Sequence, residues 1–201
     1  MDRKIFLLRH GQIDYGNEKR YIGITDWPLS TIGIGQAKGL KQYFSGIEIA
    51  KAFTSPLKRC RQTAEIILGS RNTSLETIDQ LTEINMGEWE NQSIEYIRNR
   101  FPEMYEKRGA HIDTFVPPGG ESFEQVQYRA VPAFEYIVRN TSGNVLIISH
   151  AGINRVILSQ LLGFHLQDVF RISQPYACIN ELYWDRTCCR WQWEQRNYAI
   201  N

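Results

Sequence analysis

The sequence is poor in everything that would place the protein in a membrane, outside the cell or on a nucleic acid. None of its apolar runs approaches the roughly 18 residues of a membrane span. The apolar stretch near the start, Ile5-Phe6-Leu7-Leu8, is too short for a secretory signal. Only four cysteines occur among 201 residues (Cys60, Cys178, Cys188 and Cys189), with no CxxC pair and no zinc-ligand spacing. Reduced thiols in a cytoplasmic protein are therefore expected, and no metal centre. Neither sign of charge is in excess: 23 Lys and Arg oppose 22 Asp and Glu, a formal net charge of +1. That balance argues against a nucleic-acid or membrane-surface partner, so any strong positive potential must be local. Repeats, low-complexity tracts and linkers are absent too, and the length suits one well-buried core. Residues 1–201 are read as a single domain.

What is present is an alternation of strand and helix patterns. Ile5 to Leu8 leave no polar face, which predicts a buried strand over residues 4–8. Ser30 or Thr31 can cap a helix with Ile34, Ala37, Leu40 and Phe44 inside. Gly33, Gly35 and Gly39 weaken that helix, so packing must hold it. A second strand over 50–54 breaks at Ser55-Pro56; the proline suits the first turn of a helix burying Leu57, Ala64, Ile67 and Leu68. A brief strand over 75–78 leads into a loop over 81–91. Helices follow over 93–100 and 122–138, separated by the turn Pro117-Pro118-Gly119-Gly120. Residues 144–149 form the clearest buried strand, ending at His150 with a helix to Leu162 behind it. Strands over 178–184 and 190–195 are expected to pair around Asp185-Arg186. The fold class is a three-layer α/β/α arrangement with a mostly parallel central sheet.

Two of these strands end alike, at Arg9-His10-Gly11 and at His150-Ala151-Gly152. Ligands of open α/β sheets bind beyond the carboxyl ends of strands, so both histidines and Arg9 are expected at one crevice. A glycine near each histidine lets the backbone turn sharply and approach a ligand. A third strand opens into Lys58, Arg59 and Arg61 at a helix start, where free N–H groups and arginine forks suit phosphate. Helical spacing forbids all three from facing one pocket. Glu83, on a glycine-bearing loop, becomes a candidate proton donor beside such a cationic site.

Taken together, Arg9-His10-Gly11, the Ser-Pro-Leu-Lys-Arg run at 55–59 with Gln62-Thr63-Ala64, Glu83 followed by Gly87-Glu88-Trp89-Glu90, and Ser149-His150-Ala151-Gly152 resemble the histidine phosphatase superfamily, the phosphoglycerate-mutase-like enzymes. An Arg-His-Gly triplet alone has little specificity; the four motifs in this order, from Phe6 to about Leu162, have much. The resemblance implies a phosphoglycerate-mutase-like fold and a phosphohistidine mechanism on a small-molecule phosphate ester, without cofactor or metal. It implies that His10 is the nucleophile, that Arg9 and Arg59 grip phosphoryl oxygens, and that His150 is the pocket's second histidine. It further implies Glu83 as proton donor, with Gln12, Arg20 and Gly23 in the loop completing the phosphate and substrate site.

The chain departs from the family pattern in two places. Gly16 occupies a position that is asparagine in many members, and Asn17 comes one residue later; Asn17 is kept as a candidate substrate contact through a loop adjustment. Asn91 stands where a glycine commonly closes the Trp-Glu-Gly element, and asparagine tolerates the left-handed conformation. The short chain has no room for the helical inserts of mutases, which favours hydrolysis over mutase-type phosphotransfer. A non-catalytic phospholigand-binding protein is the remaining alternative, disfavoured because Arg9, His10, Arg59, Glu83 and His150 are all present. Pro118 to Ser122 and the segment 170–180 resemble the α-ribazole phosphatase branch, so α-ribazole 5′-phosphate is one candidate substrate beside a broad monoesterase role. Tyr15, Tyr21, Trp27, Trp89 and Tyr105 are candidates to line an aromatic pocket, with packing as the alternative. His111 and His165 are read as surface or loop residues. Trp191 and Trp193 alternate as on a strand and are expected to pack the sheet or a homodimer contact.

Overall fold

The apolar runs form the strands, and the central pair is buried on both faces. The structure, a computed structural model, describes residues 3–16 and 18–197. Its strands are β1 (Ile5–Arg9), β2 (Lys51–Thr54), β3 (Leu75–Thr77), β4 (Val145–Ser149), β5 (Ile179–Asp185) and β6 (Arg190–Arg196). They form one sheet in the order β3-β2-β4-β1-β5-β6. The first four run parallel, and β5 and β6 close the edge as an antiparallel hairpin. Alternate side chains of β1 point to opposite faces. Ile5 and Leu7 join Val126, Phe134 and Ile157 on one side. Phe6 and Leu8 join Leu40, Phe44, Ala64 and Ile67 on the other.

Six α-helices occur among the described residues: α1 (Thr31–Tyr43), α2 (Lys58–Leu68), α3 (Ile94–Arg100), α4 (Pro102–Ala110), α5 (Phe123–Arg139) and α6 (Ala151–Leu162). Those layers are supplied by α1 and α2 on one face and by α5 and α6 on the other. Helices α1 and α2 pack together, as do α5 and α6. The three-layer, mostly parallel architecture is as the sequence predicts. Ser30 caps α1 by accepting from Gly33 N, and Ser122 with Gln125 forms a capping box on α5. Trp191 and Trp193 pack against the α5–α6 core, whereas His111 and His165 are exposed. No helix among the described residues is long and apolar enough to cross a membrane.

Two local expectations need correction, and one helix was not foreseen. Ile34 is 38% exposed, and Gly33 takes the inward place on α1. A Cβ on Gly33 would lie 2.1 Å from the Gln12 carbonyl oxygen, and one on Gly11 would lie 2.6 Å from the Gly33 oxygen. The propensity cost of glycine, about 1 kcal/mol, is thus offset by seating α1 directly on the backbone after His10. Pro56 lies ahead of α2 rather than in its first turn, because Leu57 is the N-cap. Helix α4 was not expected from the sequence: it buries no residue, so it carries no inward stripe to detect.

The topology decides where chemistry can gather. Because β1 and β4 are adjacent and parallel, their C-terminal ends finish level, with His10 N donating to Ser149 O at 3.0 Å. Strand β2 finishes at the same edge, and Ser55 N donates to Ile148 O at 3.0 Å. Residues 10, 55 and 150 therefore emerge side by side.

Candidate active site

His10 is 3% exposed, and its Nδ1 lies 2.7 Å from the Gly11 carbonyl oxygen. A carbonyl only accepts, so Nδ1 carries the hydrogen and Nε2 keeps its lone pair. Burial pushes the His10 pKa well below 6.5, and the Arg59 and Arg9 cations push the same way, outweighing the Gly11 bond. The ring is therefore neutral, oriented and nucleophilic at one nitrogen.

Arg9 stacks on Tyr176, with 3.8 Å from its guanidinium carbon to the ring centroid, and the Tyr176 ring lies 5.6 Å from that of His10. Its Nη1 donates to Gln174 O at 2.5 Å. Its Nε is buried and has no hydrogen-bond partner among the described residues. An unsatisfied buried donor costs free energy, and a phosphoryl oxygen beside His10 would satisfy it.

Of the three basic residues opening α2, Lys58 and Arg61 are exposed and Arg59 is buried. The first N–H of the helix does not serve an anion from outside: Lys58 N donates to Asp26 Oδ1 at 2.6 Å. Arg59 is held by the protein on three sides. Nη1 donates to Thr25 O and Nη2 to Gly23 O, each at 2.6 Å, and Nε to His150 Nδ1 at 3.3 Å. One hydrogen on each terminal nitrogen is left for a ligand. His150 accepts that bond at Nδ1, so its Nε2 carries the hydrogen and donates to Ser55 Oγ at 2.7 Å. Its ring centroid is 5.1 Å from that of His10, and burial, then Arg59, holds its pKa well below 6.5. In this arrangement His150 orients Arg59.

Glu83 comes to the same place across the sheet edge. Its Oε2 accepts from Gly152 N at 3.1 Å, at the start of α6, and its Oε1 accepts from Ile84 N at 3.0 Å. The loop carrying it is clamped by Arg129, which grips both carboxylate oxygens of Glu121 at 2.9 and 3.0 Å. Arg129 also donates to the carbonyls of Gln80, Thr82 and Glu83. This clamp was invisible to motif reading, since its parts lie far apart in the chain.

Glu90 ties two loops together. Its carboxylate accepts from the backbone N–H groups of Gly23, Ile24, Thr25 and Met86 and from Thr25 Oγ1. The same loop's carbonyls hold Arg59, so Glu90 positions that arginine at one remove. A Cβ on Gly23 would lie 2.1 Å from Ile84 O, so only glycine allows the two loops this close. Asn91 has φ +61°, the left-handed geometry expected of it, and its Oδ1 accepts from Trp27 Nε1.

The structure thus brings Arg9, His10, Arg59, Glu83 and His150 together. The remaining candidates differ. Arg20 lines the cavity over the site but donates to Asn91 O and Glu18. Gly23 serves through its backbone. Gln12 does not line the cavity, and its backbone N–H donates to Gln36 Oε1. Asn17 lies outside the described residues. Of the aromatic candidates, Tyr15 and Tyr21 line the cavity, Trp89 is buried, and Phe123, Phe170 and Tyr176 line it without having been singled out.

A neutral, pinned histidine beside buried Arg59 and part-buried Arg9, at the strand ends of a mostly parallel sheet, is the framework of a phosphoryl-transfer enzyme. The chain belongs to the histidine phosphatase superfamily (branch 1), whose family model matches residues 5–197, and is an enzyme of the phosphatase class. Phosphoserine phosphatase 1 of Hydrogenobacter thermophilus is 31% identical over 182 residues, covering 90% of this chain and 84% of that protein. The adenosylcobalamin/alpha-ribazole phosphatase of Escherichia coli is 26% identical over 179 residues, 87% of each. The solved alpha-ribazole phosphatase of Shigella flexneri shares the fold, with a TM-score of 0.88 at 22% identity over 98% of both chains.

Proposed function

We propose that the protein hydrolyses a small-molecule phosphate monoester through a phosphohistidine on Nε2 of His10. The observation that carries this reading is the bond between His10 Nδ1 and the Gly11 carbonyl, which leaves Nε2 as the attacking atom. In the first step Nε2 attacks phosphorus and the ester P–O bond breaks. Glu83, as the acid, gives its proton to the departing alkoxide. In the second step water attacks the phosphohistidine, Glu83 takes back a proton, and inorganic phosphate leaves with His10 neutral again. Arg9 and Arg59 supply donors to the equatorial oxygens as charge redistributes, a role worth about 2.7–4 kcal/mol per donor in comparable anion holes. Guanidinium groups carry the charge stabilisation, so no step calls for a metal. Arg20 and Gly23 are assigned to completing the phosphate and substrate site, Arg20 from the cavity lining and Gly23 through the carbonyl that holds Arg59.

The relatives bring two candidate substrates, α-ribazole 5′-phosphate and phosphoserine. Hydrolysis of p-nitrophenyl phosphate, unaffected by EDTA and abolished in His10→Ala, is the expected result. Rapid quenching should trap an acid-labile phosphoryl group on the wild-type protein. A His10→Ala variant that still turns over, or a trapped group on another residue, would overturn the assignment.

A further inference from the structure

The cavity over the site carries more positive charge than a single phosphoryl group requires. Arg9, Arg20, Arg108 and Arg155 line it, against Glu83 as the one lining carboxylate. Arg9 belongs with the phosphoryl group, and Arg20 is paired with Glu18 at 3.0 Å. Arg108 and Arg155 make no ion pair among the described residues. They come from α4 and α6, elements distant in the chain, yet both rest on one aromatic ring. Their guanidinium carbons lie 5.7 and 5.2 Å from the centroid of Phe170, and Arg108 also lies 5.3 Å from the Tyr21 centroid. Arg155 Nε donates to Ile172 O at 3.0 Å, which aims the guanidinium and leaves its terminal nitrogens for another acceptor.

Glu83 is the single carboxylate whose charge reaches Arg155, without an ion pair, and it is already held by Gly152 N and Ile84 N, while no carboxylate acts on Arg108. Two partly buried cations balanced so sparsely are costly to keep unless something anionic meets them. Burial lowers the pKa of both, although an arginine stays charged at any physiological pH. The cavity volume of about 240 Å³ lies below the usual range of sites for drug-sized ligands, which suits a compact ester. We propose that Arg108 and Arg155 form a second anion subsite that binds a carboxylate or phosphoryl group on the leaving group. The preferred substrates are then compact phosphate monoesters bearing an additional negative charge, rather than esters of neutral alcohols or nucleosides. This rests on the phosphomonoesterase reading above and narrows its substrate class.

Matched ester pairs test it, each pair differing mainly in the second anion. These are 3-phosphoglycerate against glycerol 3-phosphate, O-phosphoserine against O-phosphoethanolamine, and fructose 1,6-bisphosphate against fructose 6-phosphate. The wild-type protein is expected to favour the more anionic member of at least one pair by about tenfold in kcat/KM, mostly through KM. The first two pairs report a carboxylate and the third a phosphoryl group. Arg108→Gln and Arg155→Gln should each bring that ratio toward one, Arg155→Lys should retain part of it, and added salt should compress it. A ratio near one in the wild type, or an unchanged ratio in both variants, overturns the subsite. Should none of the esters be hydrolysed, the hydrolytic reading fails by itself. Calorimetric titration of the wild-type protein with 3-phosphoglycerate and glycerol 3-phosphate then still decides the subsite, and equal affinities overturn it.

Discussion

Glu83 and Gly152 fit together so closely that no other residue could occupy position 152 without moving the carboxylate. The Gly152 N–H donates to Glu83 Oε2 at 3.1 Å, and a Cβ at residue 152 would sit 2.5 Å from Oε1. Gly152→Ala should push the carboxylate aside while improving helix propensity in α6. We expect kcat/KM to fall by about tenfold or more, a scale in keeping with misplaced catalytic groups. The thermal midpoint should hold or rise. A fall in both together would mean that Gly152 serves the fold and not Glu83.

Substitution of Glu83 itself should be read against the leaving group. An alkyl phosphate needs a proton on its departing oxygen, whereas p-nitrophenolate leaves without one. Glu83→Gln should therefore lower kcat/KM for alkyl esters by about 10²–10⁴-fold and for p-nitrophenyl phosphate by distinctly less. Equal losses on both ester types would remove Glu83 from the acid role.

His10 and His150 predict an acid-side loss of stability. Both are buried and neutral, with pKa values held well below 6.5, whereas the unfolded chain regains the ordinary value near 6.5. Below pH 6.5 the unfolded state binds protons that the native state refuses, so stability falls as pH falls. Above pH 6.5 these two groups contribute no slope. Each can contribute up to about 1.4 kcal/mol per pH unit in the window between its folded pKa and 6.5. Urea unfolding at a series of pH values should show this slope, and His150→Gln should reduce it. An unchanged slope in that variant would show that other groups govern the acid limb.

Glu90 should matter for both folding and rate. Its carboxylate accepts from four backbone N–H groups and one hydroxyl, and Glu90→Ala leaves those donors to find other partners. A loss on the order of 3 kcal/mol is expected in denaturant unfolding. Because the carbonyls of Gly23 and Thr25 hold Arg59, KM for phosphate esters should rise as well. A variant with native KM would uncouple the loop from Arg59.

The ends of β1 and β4 were readable because each is an apolar run that stops at one polar residue, Arg9 or Ser149, followed by a histidine. Such runs are local patterns, and their burial follows from hydrophobicity alone. Glu83 was readable only within a four-motif constellation, since a loop carboxylate has no periodicity to mark it. Asn91 was legible by its tolerance of positive φ, and it adopts that geometry.

Other features depended on contacts between residues far apart in sequence. Gly33 reads as a weak point in α1 until the Gln12 backbone is seen against it. Arg129 reads as one more helix-face cation until it meets Glu121 and the loop carrying Glu83. Helix α4 buries no residue, so Arg108 gave no sign of turning toward Phe170.

The sequence by itself determined the α/β class, where the strands end and the identity of Arg9, His10, Arg59, Glu83 and His150 as the candidates for chemistry. Only the tertiary structure decided which nitrogen of His10 is free to attack, what holds Arg59, and which arginines face the cavity without an ion pair. The physical reason is that strand burial is set by residues a few positions apart. Tautomers, guanidinium contacts and charge balance are set by groups that meet only after the sheet has aligned its edges.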